Sequence, residues 1–286
     1  MNLRGCFKIN NIGLSAIASS CPNLEILNLH SCWDISSPGL VAIAEGCPKL
    51  RSIDLSNCRK IDAVGLTALL DNAALEEIIL SYCKSINNDL YKDPFLFSNL
   101  KKLNLQRCTT ITDIGYRYLD GHILDVEYLI LSDCSFLTDT SIDILSKCCP
   151  TLKTLSVSFV CGLTEKSVDF IVNLKSLQTL DVSFCGNLLT DASLNLLGKT
   201  IELKRLGMRG CFKVSQNSML EFLSYNSSIE HLNISQCKNL SLESLKREYN
   251  HIHYLATESV IDFDPLSTFL CGTQYPVGTR QRTRTI

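Results

Sequence analysis

The chain has 286 residues, of which 45% are hydrophobic, and its 27 Lys and Arg nearly balance its 29 Asp and Glu. This hydrophobic content allows a continuous core and excludes disorder over most of the chain. The small net charge creates no global attraction to nucleic acid or to an acidic membrane, so we expect neither as a partner. No stretch approaches the roughly 20 apolar residues that a membrane helix requires.

The fifteen cysteines raise the question of a disulfide framework. Their odd number and the length of the chain argue against the framework of a small secreted domain. The apolar stretch from Asn11 to Cys21 matches later segments of the chain, so we interpret it as a repeat and not as a signal peptide. We therefore predict reduced cysteines and a cytoplasmic or nuclear protein.

One motif recurs along the chain. It has the form Leu-x-Leu-x-x-Cys, as in Leu27–Cys32 and Leu103–Cys108, and its last residue, here called the anchor, returns every 25 or 26 residues. The first copy is truncated to Leu3–Cys6. A further leucine three residues upstream completes the leucine-rich-repeat pattern in most copies. The ten anchors are Cys6, Cys32, Cys58, Cys83, Cys108, Cys134, Val160, Cys185, Cys211 and Cys237.

The second half of each unit predicts a helix, because apolar residues recur there at helical spacing. A good N-cap residue precedes each predicted helix. Acidic residues follow four of these caps, where their charge suits the helix dipole: Asp113, Asp139, Glu165 and Asp191. The ten predicted caps are Asn10, Ser36, Asp62, Asn87, Thr112, Thr138, Thr164, Thr190, Ser215 and Ser241.

Stacked strand–turn–helix units predict an α/β fold, namely a leucine-rich-repeat solenoid over residues 1–255. It is expected to form a right-handed arc with a parallel sheet on the concave side and helices on the convex side. Residues 256–286 are predicted to be an irregular C-terminal tail, because prolines and glycines interrupt the pattern there. The basic Arg280, Arg282 and Arg284 are interpreted as solvated.

The repeats resemble those of F-box/LRR proteins. The resemblance rests on Cys-Pro-x-Leu junctions at Cys21–Leu24, Cys47–Leu50 and Cys149–Leu152 and covers about residues 1–255. It implies a substrate receptor of an SCF ubiquitin ligase, in which an N-terminal F-box binds the Skp adaptor and cullin while the repeats bind the target. No F-box precedes Leu3, so we expect either part of a longer receptor or an F-box-free relative. Skp and cullin are expected only with an upstream F-box.

The cysteines and histidines predict no chemistry. Spacings between anchors are far longer than that of a C-x-x-C zinc pair, so the anchors are interpreted as small buried fillers with weakly bonded thiols. Cys148 and Cys161 fall off this ladder and are predicted to be exposed. The five histidines share no repeat position. We predict no catalytic residue, no metal and no cofactor.

Two groups of side chains predict binding on the concave face. Arg205 and Arg209 flank Gly207 and suit a carboxylate or phosphate, with Asp181 on the next strand expected to orient them. The alternative is that Asp181 neutralises both arginines. Exposed aromatic and arginine side chains are typical of binding hot spots. The predicted partner-binding residues are Tyr82, Arg107, Tyr128, Phe159, Asp181, Phe184, Arg205 and Arg209.

Tyr82, Phe159 and Phe184 precede their anchors and are expected at the rim, whereas Tyr128 is expected on the floor of the concave face. Phe159 or Phe184 could instead pack inward. Three functions remain open at this point. They are target recognition for an SCF-type ligase, a free-standing scaffold or cell-cycle inhibitor without an F-box, and a sensor of a small anionic ligand.

Overall fold

The computed structural model describes residues 1–255, and the predicted tail lies outside the described residues. Ten parallel strands of three residues form one sheet in which each strand pairs with the next along the chain. The solenoid fold predicted from the repeats is confirmed. The strands are β1 (Ile26–Asn28), β2 (Ser52–Asp54), β3 (Glu77–Ile79), β4 (Lys102–Asn104), β5 (Tyr128–Ile130), β6 (Thr154–Ser156), β7 (Thr179–Asp181), β8 (Arg205–Gly207), β9 (His231–Asn233) and β10 (His253–Leu255).

The truncated first copy adds only an isolated bridge between Asn2 and Asn28 to the sheet. Helices follow most strands and cover the opposite side of the core. None of the helices within residues 1–255 is long and apolar enough to cross a membrane. The helices are α1 (Asn11–Ser20), α2 (Ser37–Gly46), α3 (Ala63–Leu70), α4 (Asp113–Tyr116), α5 (Asp139–Cys148), α6 (Lys166–Ile171), α7 (Asp191–Thr200), α8 (Gln216–Tyr225) and α9 (Leu242–Glu248).

The convex wall departs from the prediction in its middle. Between β3 and β4 the chain forms two 3₁₀ helices, Asn88–Tyr91 and Pro94–Phe97, in place of an α-helix, and α4 is followed by the 3₁₀ turn Arg117–Leu119. Pro94 has no N–H group to donate and disfavours helical backbone at the residue before it, so an α-helix cannot run through this segment. Aromatic side chains fill the core behind these turns. The rings of Tyr91 and Tyr116 lie 4.9 Å apart.

The anchors form a ladder of buried thiols. Every anchor thiol from Cys32 to Cys237 donates a hydrogen bond to a backbone carbonyl of the preceding repeat. Examples are Cys58 Sγ to the Leu29 oxygen at 3.2 Å and Cys185 Sγ to the Val157 oxygen at 3.0 Å. Burial raises the pKa of the Cys185 thiol to about 12, so it stays a protonated donor at neutral pH. All fourteen cysteines within the described residues are free. The predicted role of the anchors as buried fillers is confirmed except at Cys6, which is exposed in the truncated first copy.

The prediction for the two cysteines off this ladder is half correct. Cys161 is exposed, as expected. Cys148 is buried, with 1% of its surface accessible, and its Sγ lies 3.6 Å from that of Cys149. The prediction for Cys148 is wrong because α5 carries it one turn beyond Ile144 and Leu145, on the helix face that packs on the core.

Nine of the ten predicted N-caps accept a hydrogen bond from their own first helical turn. Ser36 makes no such bond, and its hydroxyl accepts instead from Asn11 Nδ2 of the previous repeat at 2.8 Å. Thr164 accepts from the Lys166 N–H at 3.3 Å, although α6 begins only at Lys166, two residues after this cap.

The residue after the cap links one repeat to the next. The backbone N–H of Thr138 donates to Asp113 Oδ1 at 3.0 Å, and that of Thr164 donates to Asp139 Oδ1 at 2.8 Å. These acids therefore bind the following cap in addition to facing the positive end of their own helix, a role that sequence reasoning missed. The contacts hold neighbouring helices in register.

The residues just before the strands form what we call the N-terminal charge ladder. Their backbone groups are hydrogen-bonded from one repeat to the next, so their side chains lie side by side. Arg51 and Glu76 form an ion pair at 2.8 Å, as do Lys153 and Glu127 at 2.6 Å. Charge alternates along the first six members, which are Glu25, Arg51, Glu76, Lys101, Glu127 and Lys153.

Candidate protein-binding surface

The residue before each anchor has a left-handed backbone with positive φ. The chain turns away from the sheet at this point, while the N–H of the turning residue still donates to the next repeat, as from Tyr82 to the Gln106 carbonyl at 2.8 Å. We call this row the C-terminal rim. Its members are Gly5, Ser31, Asn57, Tyr82, Arg107, Asp133, Phe159, Phe184, Gly210 and Gln236.

Large side chains on the C-terminal rim are unusual. Left-handed backbone suits Gly and, less well, Asn and Asp, whereas it costs other residues about 1–2 kcal/mol. Tyr82, Phe159 and Phe184 nevertheless occupy it. They do not gain full burial in exchange, because Tyr82 remains 45% and Phe159 49% exposed. Core packing therefore does not explain them.

One aromatic group on the rim is formed by Tyr82 and Arg107. The Arg107 guanidinium lies 5.1 Å from the centre of the Tyr82 ring, at a distance typical of cation–π contacts. Arg107 also forms an ion pair with Asp133, the next rim residue. The charge of this arginine is thus satisfied within the protein.

A second aromatic group is formed by Phe159, Phe184 and Arg209. The two rings stack with centres 4.4 Å apart, and the Arg209 guanidinium lies 5.2 Å from the Phe184 ring. Phe184 also covers Gly210, where an added Cβ would lie 2.8 Å from its ring. The alternative that these phenylalanines pack into the core is wrong. They form a stacked pair at the rim.

The floor between the rims is polar and tightly packed. Tyr128 at the start of β5 is half-buried, with Lys102 Nζ 5.3 Å from its ring, and it stands apart from the rim groups. The hydroxyls of Ser132 and Ser156 lie 2.7 Å apart, and Ser158 donates to Ser132 at 2.9 Å. Small side chains that bond to one another leave room above the sheet.

Asp181 does not orient the two arginines. It is buried and accepts hydrogen bonds from the Ser183 N–H at 3.0 Å and from the Ser156 hydroxyl at 3.4 Å. Within residues 1–255 no ion pair joins it to Arg205 or Arg209. Burial raises the pKa of this carboxyl group, which opposes its charged form.

The physical reason is a local motif at the last position of the strands. An Asn or Asp there accepts from the N–H two residues later, as Asn28 does from His30 and Asn104 does from Gln106, both at 2.9 Å. Asp181 belongs to this series. The recurrence of Asn or Asp at this position was the sequence signal for a structural role, and the prediction of an orienting role overlooked it.

Arg205 and Arg209 lie at opposite ends of the segment centred on Gly207. In the sheet register Arg205 is flanked by Thr179 and His231. The Arg209 backbone N–H donates to Ser183 Oγ at 3.1 Å, whereas its side-chain Nε is buried and has no hydrogen-bond partner. Both arginines of the predicted site thus lie where the sequence placed them, whereas Asp181 takes no part in the site. The described residues contain no cluster of His, Cys, Asp and Glu that could hold a metal ion.

The repeats can now be compared with known proteins. A family model described as Leucine Rich repeat matches residues 20–44, 46–70 and 98–119. The match to leucine-rich repeats agrees with the solenoid fold of the described residues. In the crystal structure of the Rad7 and Elc1 complex in yeast, one chain matches it with a TM-score of 0.67 at 21% identity, covering 87% of this chain and 66% of that chain. Identity at this level supports the fold alone.

Two curated relatives carry F-box names. The F-box protein SKIP19 of Arabidopsis thaliana is 35% identical over 121 residues, which are 41% of this chain and 39% of the relative. The putative F-box/LRR-repeat protein 23 of the same species is 33% identical over 124 residues, or 41% of this chain and 27% of the relative. The resemblance to F-box/LRR proteins predicted from the repeats is confirmed. The matches span less than half of either relative.

Proposed function

We propose that this chain recognises the target of an SCF-type ubiquitin ligase and performs no bond chemistry itself. The observation that carries the proposal is the pair of aromatic–arginine groups on the C-terminal rim, held outward at left-handed positions on repeats similar to those of F-box proteins. The target is a protein segment that lies over the concave floor and contacts both rim groups.

The physical properties of the rim groups suit this role. Aromatic and arginine side chains dominate binding energy at protein interfaces. Phe159 and Phe184 already stack in the free protein, so binding a partner freezes little additional side-chain motion. The low, hydrogen-bonded floor admits a partner between the two groups. The rim side chains then supply most of the binding energy, and the shape of the floor determines which segments fit between them.

The partners and compartment follow from the same proposal. An F-box elsewhere in the full protein would bind the Skp adaptor and cullin, and we expect no metal or cofactor to take part. The free, protonated anchor thiols suit a reducing compartment, so we place the protein in the cytoplasm or nucleus.

The test uses the tagged full-length product of the gene in its own cells, with cullin activation inhibited so that bound targets persist. We expect the Skp adaptor, a cullin and a specific target to copurify. The double variant F159A/F184A is expected to retain Skp and cullin but to lose the target, whose lifetime then increases. Phe95→Ala is the matched control, because Phe95 is 77% exposed but lies on a convex 3₁₀ helix.

Two results would contradict the proposal in different ways. Recovery of the target without Skp or cullin would support a free-standing scaffold or inhibitor. Retention of the target by F159A/F184A would show that the rim pair is not the binding surface. Equal loss in F95A would point to general instability.

A further inference from the structure

Neither Arg205 nor Arg209 has an acidic partner among the described residues, in contrast to two other arginines of the protein. Arg51 pairs with Glu76, and Arg107 pairs with Asp133. No ion pair found in the described part of the chain includes Arg205 or Arg209. The acid on the neighbouring strand, Asp181, already uses its oxygens for serine donors. Two positive charges, one at the start of β8 and one two residues beyond its end, are therefore left uncompensated.

The Arg209 side chain also has a hydrogen-bond donor without an acceptor. Its guanidinium rests on the Phe184 ring, and its buried Nε donates to no acceptor. A buried donor without an acceptor is unfavourable, because it has lost its hydrogen bonds to water. A ligand that draws the guanidinium away from the ring and supplies an acceptor to Nε removes this penalty. The unsatisfied donor therefore favours the binding of an acceptor.

The spacing of the two arginines allows them to share one ligand. Residues two apart on an extended strand point to the same side, so Arg205, Gly207 and Arg209 present the same face. At about 3.3 Å per residue, their outer Cα atoms are at most about 13 Å apart. Gly207 between them has no side chain. Two long arginine side chains can therefore converge on a group seated over this glycine.

We propose that Arg205 and Arg209 bind an anionic group, either phosphate or carboxylate, carried on a peptide segment of the target. The planar guanidinium forks of two arginines can each donate two hydrogen bonds to such a group. The stacked Phe159–Phe184 pair, adjacent to Arg209, contacts the apolar part of the residue that bears the anion. The peptide source of the anion rests on the proposed function, whereas the anion site itself does not.

The experiment measures binding of three small probes to the full chain by calorimetry: phenyl phosphate, benzoate and inorganic phosphate. We expect phenyl phosphate or benzoate to bind at one site per chain, and the better of the two identifies the anion. Arg205→Gln and Arg209→Gln should each weaken that probe about tenfold, which is typical for losing hydrogen bonds to a charged group.

Arg59→Gln is the matched control. The Arg59 guanidinium also lies over an aromatic ring, 4.6 Å from the centre of Trp33, but it is outside both rim groups and outside the segment centred on Gly207. We expect this variant to bind every probe as the wild type does. Phe184→Leu should weaken phenyl phosphate about threefold through loss of ring stacking and leave inorganic phosphate unchanged.

His231 supplies an independent readout by NMR. Burial lowers the pKa of this imidazole, and the positive charges of Arg205 and His253 lower it further, while Glu230 raises it. An anion bound to Arg205 offsets that repulsion, so the pKa of His231 should rise on saturation with the probe. In Arg205→Gln the pKa of His231 should start higher and respond less to the probe.

Unchanged probe binding in both arginine variants, equal weakening in R59Q, or no binding of any probe would each overturn the anion site. Inorganic phosphate that binds as tightly as phenyl phosphate would overturn the peptide source and favour a free anion as the ligand. These outcomes involve neither Skp nor cullin. Failure of the anion site is therefore distinguishable from failure of target recognition, which the copurification experiment measures.

Discussion

Backbone conformation separates the rim aromatics from ordinary exposed residues. At the same position the chain uses Gly5, Asn57 and Gly210, which tolerate positive φ easily, but also Tyr82 and Phe159, which do not. Strain of this kind persists only where surrounding structure supports it, and it is concentrated at functional sites. The rim therefore offers positions where binding and stability can be separated by mutation.

Phe159→Asn is expected to keep the unfolding free energy within about 1 kcal/mol of wild type, because relief of backbone strain offsets the lost stacking on Phe184. Binding of the target should nevertheless fall. Urea unfolding measures the first quantity. Phe222→Ala is the contrast, because Phe222 is fully buried and its truncation should cost about 3–5 kcal/mol. A loss of that size in F159N would mean that Phe159 is a core residue.

Asp181→Asn is expected to be more stable than wild type at pH 7. Burial raises the pKa of Asp181, so ionising it disfavours the folded state, and this penalty disappears once the carboxyl is protonated. Asparagine keeps the acceptor for the Ser183 N–H, as Asn28 and Asn104 do in their repeats. The advantage of D181N should therefore shrink as the pH falls below the raised pKa.

Urea unfolding of D181N, D181A and wild type at several pH values tests this prediction. The alanine variant leaves the buried Ser183 N–H without its acceptor and should lose about 1–3 kcal/mol. An advantage of D181N that grows on acidification would contradict the assignment.

At the residue scale, sequence reasoning located the rim and floor correctly, because the alternation of strand side chains and the fixed distance to the anchor determine them. It failed for Asp181 because proximity on neighbouring strands does not reveal which hydrogen bonds a carboxylate already makes. It also missed the strain at Phe159, since φ depends on how the chain turns after the strand and not on spacing.

At the scale of secondary-structure elements, a pair of buried tyrosines joins the 3₁₀ helix Asn88–Tyr91 to α4 in the middle of the convex wall. The buried hydroxyls of Tyr91 and Tyr116 lie 3.1 Å apart and bond to each other. Desolvation raises the pKa of both phenols well above the usual range, so both stay neutral. The sequence contained the signal for the missing helix in Pro94. It did not show that two tyrosines from neighbouring repeats would meet. Tyr91 lies on a 3₁₀ helix and Tyr116 on α4, and spacing along the sequence does not give the relative positions of these two side chains.

Tyr91→Phe should destabilise the protein by about 1–3 kcal/mol, because it leaves the Tyr116 hydroxyl buried without a partner. Tyr116→Phe should act similarly. The double variant Y91F/Y116F removes both hydroxyls and should lose less than the sum of the single losses. The unfolding free energies of the wild type, the two single variants and the double variant complete this double-mutant cycle. Additive losses would show that the two hydroxyls do not depend on each other.

For the whole molecule, the repeat period predicted β1 to β9 and their order, because each unit can bury its leucines only on its neighbours. The N-terminal charge ladder escaped notice, since its alternation becomes visible only when the repeats are aligned one above another. Its members are largely exposed, and isolated exposed ion pairs contribute little. Their arrangement in a row makes them worth testing together.

Glu76→Lys creates a row of three positive charges, at positions 51, 76 and 101. We expect a loss of up to about 1 kcal/mol that diminishes as salt is added, because the charges are exposed and screened. Melting temperatures at low and high NaCl measure the effect. The sixfold charge reversal E25K/R51E/E76K/K101E/E127K/K153E restores alternation along the ladder and should recover most of the loss at low salt. No recovery would mean that the ladder has no collective effect.

The alternating ladder also bears on how the repeats assemble correctly. All repeats bury nearly the same leucines, so during folding one repeat can dock on the next neighbour but one, or on a repeat of another molecule. Skipping one repeat brings Glu25 beside Glu76 and Arg51 beside Lys101, and like charges on adjacent strands repel. We therefore expect charge repulsion along the ladder to disfavour incorrect stacking of the repeats. It does so at a stage of folding when burial of the leucines does not distinguish one repeat from another.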